Sequence, residues 1–311
     1  RRGEQLHGAH LVRRAGLAPG AGQLDLQALR RPDPAPGRAG GREHVARHAE
    51  VEVRVLGGLP QDDPAFNVLT LGKLQGDLSG ATTWIYNPGW VYGVLPGQGL
   101  PAAQFGQALF QVEGLTRRIS RRLPDGSVEE RSRNWMFYCD AESGEYLKTF
   151  RNPYTGETLE VPPFRGVPTA SRLTVDGLVA DFGPGFENTA MGRPLRLHFR
   201  TLGDTTWIDR HAASRIPGAS GRPRNEMSLD AWVCRTRDLT DPRLTHIPST
   251  YAWTSFAEWL PWLRMGDRPG NLVWRIESSV LRSRDELPAR FLERLQQVLP
   301  GKIDEPMGWD A

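Results

Sequence analysis

The sequence is short of the residues that usually announce a reaction. Only two cysteines, Cys139 and Cys234, stand in 311 residues. They show no metal-ligand spacing and are too few for a disulfide framework. A reduced compartment follows as the expectation, with a single bridge as the alternative. No uninterrupted apolar run approaches the roughly 18 residues of a membrane-crossing helix. P-loop, H-E-x-x-H and G-x-S-x-G patterns are missing. The glycines of GPGFENTAMG (183–192) are broken by Pro184 and have no βαβ frame around them, so they make no dinucleotide loop. The expectation is therefore no metal site and no cofactor. Charge of one sign is also lacking: 39 basic against 36 acidic side chains leave +3. That balance offers no clustered electrostatic footprint for nucleic acid, and no such partner is expected.

A further absence is local. Residues 1–65 contain no Phe, Tyr or Trp; all 27 aromatics lie from Phe66 onward. The same stretch draws its positive charge from arginine alone, and Gly, Ala and Pro crowd it (APGAGQ, RPDPAPGRAGG). Such a composition buries too little apolar area to offset its ordering entropy. Residues 1–61 are thus expected to be a disordered or non-native low-complexity segment, and 62–311 a single β-rich domain. His7, His10, His44 and His48 share no repeated ligand spacing. The chain opens Arg1-Arg2-Gly3-Glu4-Gln5, without the apolar stretch of a twin-arginine leader. A cytoplasmic location is the expectation, with periplasmic export the alternative if a leader precedes Arg1.

What is present is β-rich. Thirty-four Gly and 25 Pro favour many turns. TTWIYNPGWVYGVL reads as two strands around Asn87-Pro88-Gly89, with Trp84 and Tyr86 on one face of the first and Trp90 and Tyr92 on one face of the second. Turns at Pro124-Asp125-Gly126 and Glu142-Ser143-Gly144 make the next segments a meander. The imperfect alternation of Asn134–Cys139 suits a strand covered on both faces. Pro- and Gly-rich connections fill roughly 162–192. LRLHFRTLGDTTWIDRH, MSLDAWVCRT and NLVWRIES are the clearest later strands. SRDELPARFLERLQQVLPG is the one convincing long helix, its apolar face made of Phe291, Leu292, Leu295, Val298 and Leu299. In SFAEWLPWLRMGDRPG (255–270), Ser255 and Glu258 form an S-x-x-E box that predicts a helical turn, with Pro261–Met265 as a second turn closed by Gly266. The expected fold is mainly β: an antiparallel, barrel-like domain, up-and-down or lipocalin-like, with a C-terminal amphipathic helix.

Two stretches, RNPYTGETLEVP (151–162) and TSFAEWLPWLRMGDRPG (254–270), resemble signature segments of a bacterial family, domain-of-unknown-function family 1838. DDPAFNVLTLGKLQGDLSG, YCDAESGEYLKTF and the closing DELPARF…EPMGW support the resemblance, which spans about 62–309. It implies one unit over this span and leaves the first sixty residues outside. It carries over no catalytic residue. Members of the family often carry a twin-arginine leader, from which this chain departs.

Candidate chemistry comes from a few faces. Alternation in 195–200 places Leu195, Leu197 and Phe199 on one side and Arg196, His198 and Arg200 on the other. Trp207, Asp209 and His211 share a face of the return strand. If that polar side faces a lumen, His198 and Asp209 can act as an acid–base pair, and Arg196 and Arg200 can hold an anion; the alternative is a solvated sheet face. Tyr154 joins the catalytic candidates and Arg151 the anion-binding ones, through the loop FRNPYTGE. Tyr138, Glu258 and Arg264 are further candidates without an assigned role. Trp84, Tyr86, Trp90, Tyr92, Trp259 and Trp262 are expected to line a cavity, the alternative for any one of them being a core plug. The function expected is binding of a small apolar or aromatic molecule in an aromatic-lined cavity. Cofactor-independent acid–base conversion, as lyase or isomerase, would be an extension of it. A non-catalytic carrier or scavenger, and a protein-interaction domain with an exposed Trp patch, are the alternatives.

Overall fold

The computed structural model describes residues 59–96, 108–165, 168–181, 189–191, 195–217, 223–281 and 283–309. The four early histidines and most of the low-complexity segment lie outside them. The chain divides into two units, 1–50 and 51–311, and every described residue belongs to the second.

In chain order the elements are α1 (Pro64–Gln75), β1 (Thr83–Val94), β2 (Phe110–Arg122), β3 (Val128–Cys139), β4 (Thr149–Arg151), β5 (Thr158–Glu160), β6 (Phe164–Arg165), β7 (Thr169–Thr174), β8 (Gly177–Asp181), β9 (Thr189–Met191), β10 (His198–Leu202), β11 (Thr205–Pro217), β12 (Pro223–Arg235), α2 (Thr236–Thr240), β13 (Ser249–Ala257), β14 (Asn271–Leu281) and α3 (Ala289–Val298). Among the described residues, twelve strands form one antiparallel sheet. Its order is β10-β11-β12-β13-β14-β1-β2-β3-β7-β8-β9, with β6 also paired to β3. β4 and β5 make a separate hairpin. Mainly antiparallel β with a C-terminal amphipathic helix is thus the architecture, and no ladder joins β9 to β10 among the described residues.

The two ends of the sheet share a core. Val128 and Leu173, from β3 and β7, cluster with Ile208 and Trp232, from β11 and β12, and with Val68, Leu71 and Leu74 of α1. The face carrying them is therefore the inner one. At the other end of this face Val91, Phe110, Tyr138, Leu272 and Trp274 form a second cluster. The outer face of β1–β3 is covered by α3, through Leu115, Trp135 and Phe137 against Phe291 and Leu295. β3 is accordingly covered on both faces, as its sequence indicates.

α1 has no counterpart in the sequence reading, although its signals are plain. The Asp63 side chain accepts from Ala65 N (2.9 Å), and Pro64 opens the helix.

Asn87-Pro88-Gly89 is not a turn; β1 runs straight through it. Tyr86 pairs with Ser279 and Gly89 with Ile276 in one register, and the ladder to β14 lapses only at Asn87 and Pro88. Proline has no N–H to give there, and the Asn87 side chain fills the gap. It accepts from Ser278 Oγ (2.6 Å) and donates to Thr116 Oγ1 (3.0 Å). A Cβ at position 89 would run into the carbonyl oxygen of Arg275, which leaves glycine as the residue that fits. The expected helical turn at 255–259 is likewise replaced, because Ser255 belongs to β13 and its hydroxyl donates to Glu226 Oε1 (3.0 Å) instead of capping. Pro261–Leu263 does form a short 3-10 turn, ended by Arg264 in the left-handed region (φ 50°).

Candidate functional site

Between the two inner clusters the inner face turns polar. Asn87, Thr116, Arg118, Glu130, Ser132, Asn134, Arg210, Ser228, Asp230, Tyr251 and Ser278 follow one another around β1, β2, β3, β11, β12, β13 and β14. Most of them keep part of their surface open, although residues above and below on the same strands are buried.

Asp230 is the centre of this belt, at 2% exposure. Arg210 donates to its Oδ2 from both Nε (2.9 Å) and Nη2 (2.8 Å), and Tyr251 Oη donates to Oδ1 (2.6 Å). The Tyr251 ring stacks on Trp232 at 4.9 Å and 14°. Burial raises the Tyr251 pKa well above the usual phenol value, and Asp230 raises it further. Burial alone would lower the Arg210 pKa, but Asp230, Tyr251 and Glu130 outweigh it and the net shift is upward. Tyr251 is thereby kept as a protonated donor and Arg210 as a permanent cation.

The opposite wall is less complete. Glu130 is 4% exposed. Its Oε2 accepts from Ser171 Oγ at 3.4 Å, and Arg118 Nη1 stands 4.0 Å from Oε1. Glu130 Oε1, Arg118 Nε and the neighbouring Ser120 Oγ are buried without a hydrogen-bond partner among the described residues. Arg118 spends its Nη1 on Gln75 O (2.9 Å), at the end of α1. The coupling of Glu130 to Arg210, and of Arg118 to Tyr251, spans the interior from β2 and β3 to β11 and β13. Four formal charges of balanced sign thus face one inner space.

The end of the sheet below this belt is covered by the stretches 151–162 and 254–270, which touch each other. Asn152, buried to 1%, donates from Nδ2 to Leu263 O (2.8 Å) and accepts from Tyr154 N (2.9 Å). Arg268 Nη1 donates to Tyr154 O (2.6 Å), and the Tyr154 and Trp259 rings meet at 5.5 Å. Trp259 Nε1 donates to Arg268 O (3.2 Å). Trp262 packs on Phe110, Tyr138 and Phe150, and its indole N–H is buried without a partner among the described residues.

The other sequence candidates separate. Trp84, Tyr86, Trp90 and Tyr92 point to the outer face. Trp84 lies under Arg117 (5.4 Å) beside α3, Tyr86 packs on Phe291, and Trp90 is 39% exposed. His198 and Asp209 are cross-strand partners, also on the outer face. Asp209 pairs with Arg200 (2.9 Å), while the His198 ring lies 5.6 Å from that of His211. Arg196 and Arg151 are exposed. Leu195, Leu197 and Phe199 face the inner core as the alternation requires. Both cysteines are buried and free, and burial pushes each thiol up to about 12. They are inert at neutral pH.

A third buried carboxylate, Glu113, sits under α3. Glu113 Oε1 accepts from Tyr86 Oη and from Arg290 Nε (3.3 Å); Oε2 accepts from Tyr146 Oη (2.5 Å) and lies 3.2 Å from Arg290 Nη2. Each oxygen is doubly engaged, which makes this cluster a fastening for α3. Among the described residues no group of His, Cys, Asp and Glu could hold a metal ion, and no helix is long and apolar enough to cross a membrane.

Asp230, Tyr251, Glu130 and Arg118 were absent from the sequence reading. In MSLDAWVCR the apolar alternate Met227, Leu229, Ala231 and Val233 suggests the inward face, yet Asp230, Trp232 and Cys234 take it.

The family model described as "Protein of unknown function (DUF1838)" matches residues 80–176 and 226–310. Arg118, Glu130, Asp230, Tyr251 and the stretches 151–162 and 254–270 fall inside the match, whereas Arg210 and the His198–Asp209 hairpin fall between its parts. No curated protein and no solved structure matches the chain. With more than half of its length matched, the chain belongs to this family of proteins of unknown function.

Proposed function

We propose that the stretch 62–311 is a single barrel-like unit that binds one small molecule with an apolar or aromatic body inside the curled sheet. The body would lie toward the aromatic end made by Phe110, Tyr138, Trp253 and Trp262, and a polar group would meet the charged belt above it. The observation that carries this reading is the inner belt itself. Four buried or half-buried charges and a half-buried tyrosine are costly to desolvate, Glu130 Oε1 and Arg118 Nε among them have no hydrogen bond among the described residues, and an aromatic cluster ends the same inner face. Ligand sites have this composition, mostly apolar walls with a few convergent polar groups.

Acid–base conversion, as a lyase or isomerase without a cofactor, is the extension of this proposal. Tyr251 and Asp230 would carry the proton as a relay, since the Tyr251 hydroxyl donates to Asp230 Oδ1 at 2.6 Å. A carrier or scavenger has the same cavity and no turnover. The outward His198–Asp209 pair is a separate acid–base proposal, and Tyr154 another at the opposite end of the sheet; the first requires His198→Ala to abolish turnover while ligand affinity stays.

Titration of tryptophan fluorescence with aromatic and isoprenoid compounds tests binding. Saturable quenching is expected, lost in Thr116→Trp, which fills the inner face, and kept in Trp90→Ala on the outer face. Loss in Trp90→Ala with retention in Thr116→Trp would move the site to the outer face and toward a protein-interaction surface.

A further inference from the structure

Independently of the inner face, we infer that the outer face of β12, β13, β14 and β1 is an isologous interface on which a second copy of this chain docks. α3 covers the outer face of β1–β3 at Leu115, Trp135 and Phe137. Beside it the face is open and apolar. Tyr92, Val273, Phe256 and Met227 are successive cross-strand partners, so they form one unbroken row over the four strands. The next row is Trp90, Arg275, Thr254 and Leu229. Met227 is 46% exposed, and Trp90 and Val94 are each 39% exposed. Contiguous apolar surface of this kind marks a contact site.

Shape, charge and area select a second copy as the occupant. A two-fold axis between β13 and β14, parallel to them, turns each row onto itself. Tyr92 then faces Met227 of the partner subunit, Val273 faces Phe256 of the partner subunit, and Trp90 faces Leu229 of the partner subunit. Each contact sets an aromatic ring against an aliphatic side chain, and the thioether of Met227 suits the Tyr92 ring. The charges on this face, Arg275 and Glu277, pair with each other at 3.5 Å. They fall opposite the small Thr254 and Ala252 of the partner subunit, and neither is left unpaired. With those charges cancelled, the face has no pull toward an anionic lipid surface. Four strands about 4.8 Å apart and four same-face rows about 6.8 Å apart give a flat footprint of about 500 Å² per copy. A specific interface needs about that much per partner, and about 800 Å² is standard. The face thus suffices for a dimer of moderate strength.

Sedimentation equilibrium of the full chain over about 1–300 µM tests this. A monomer–dimer equilibrium with a Kd of about 1–100 µM is expected. Met227→Lys places two ammonium groups in the interface and should weaken it at least about tenfold. Trp90→Ala should weaken it as well, and decides alone if Met227→Lys misfolds. Val179→Lys, at an exposed position of β8 outside the four strands, should leave the dimer unchanged. All three variants keep the inner face, so loss of the dimer with small-molecule binding intact separates this inference from the binding reading. A chain that stays monomeric at about 300 µM overturns the inference, whatever ligand or vesicle it binds. A dimer that Met227→Lys and Trp90→Ala both leave intact overturns it too, by placing the contact elsewhere.

Discussion

Tyr251 reaches diagonally across β12 and β13 to donate its hydroxyl to Asp230 at 2.6 Å, although the residue opposite Asp230 in the ladder is Trp253. The diagonal leaves its ring stacked on Trp232 and places a phenol, a carboxylate and the Arg210 guanidinium in one inner layer. Removing either end should be felt. Asp230→Ala leaves Arg210 charged and buried without its partner, at about 3–5 kcal/mol. Tyr251→Phe leaves one carboxylate oxygen short of a donor, at about 1–3 kcal/mol. Urea midpoints of the two variants measure this, and a loss at Asp230→Ala no larger than at Tyr251→Phe would contradict the pairing.

The fastening of α3 gives a second expectation. Arg290→Ala removes the only α3 cation seen on Glu113 among the described residues but leaves the two phenol donors in place. The cost is expected to be about 1–2 kcal/mol, because the buried carboxylate stays hydrogen-bonded. Amide exchange should quicken in α3 and stay unchanged in β11–β13. Uniform quickening would mean that α3 is not a separable layer.

Gly89→Ala tests the uninterrupted course of β1. The new methyl meets the Arg275 carbonyl and both backbone and side chain of Ile276 on β14. A loss of about 1–3 kcal/mol or more is expected from overpacking. The same change at Gly126, with φ 84° and open space around it, strains only the turn. Thermal melts of the two variants should rank in that order.

The buried cysteines and the half-buried tyrosines set an alkaline limit. Burial pushes the Cys139 and Cys234 thiols up to about 12, from about 8.5 in an unfolded chain, and raises Tyr86, Tyr146 and Tyr251. For a group whose folded pKa is raised, the stabilisation is complete below the unfolded pKa and is lost as pH rises toward the folded one. Stability should thus be flat up to about pH 8.5 and fall above it, by up to about 1.4 kcal/mol per pH unit for each group in its window. Urea unfolding from pH 7 to 11 reads the slope. Cys139→Ala should make the fall between pH 9 and pH 11 shallower, and an unchanged slope would contradict the assignment.

Much of the fold was legible because it is written in local chemistry. Gly126 and Gly144 sit at positive φ in the turns their sequences announce, and the amphipathic face of α3 buries Phe291 and Leu295 as spaced. Asn87-Pro88-Gly89 misled because a proline–glycine pair reads as a turn, while a lapse in one ladder and a side chain of the right length let a strand pass through it. The site was harder. Alternation told correctly that His198, Arg196 and Arg200 oppose Leu195 and Leu197, but not which side is inner. The charges that do face inward, Asp230 and Glu130, stand among apolar and charged alternates whose inward set only the curl of the sheet decides. Asn152 has no signal beside Arg151 and Tyr154, since a buried amide that ties two loops leaves no periodic trace.

Native mass spectrometry of the full chain, followed by extraction of whatever co-purifies, bears on the central claim most directly. A single small molecule at one per chain, retained by Trp90→Ala and missing from Thr116→Trp, is the expected result. An unliganded mass that no aromatic or isoprenoid compound shifts would contradict the proposal and leave the inner belt as a structural network.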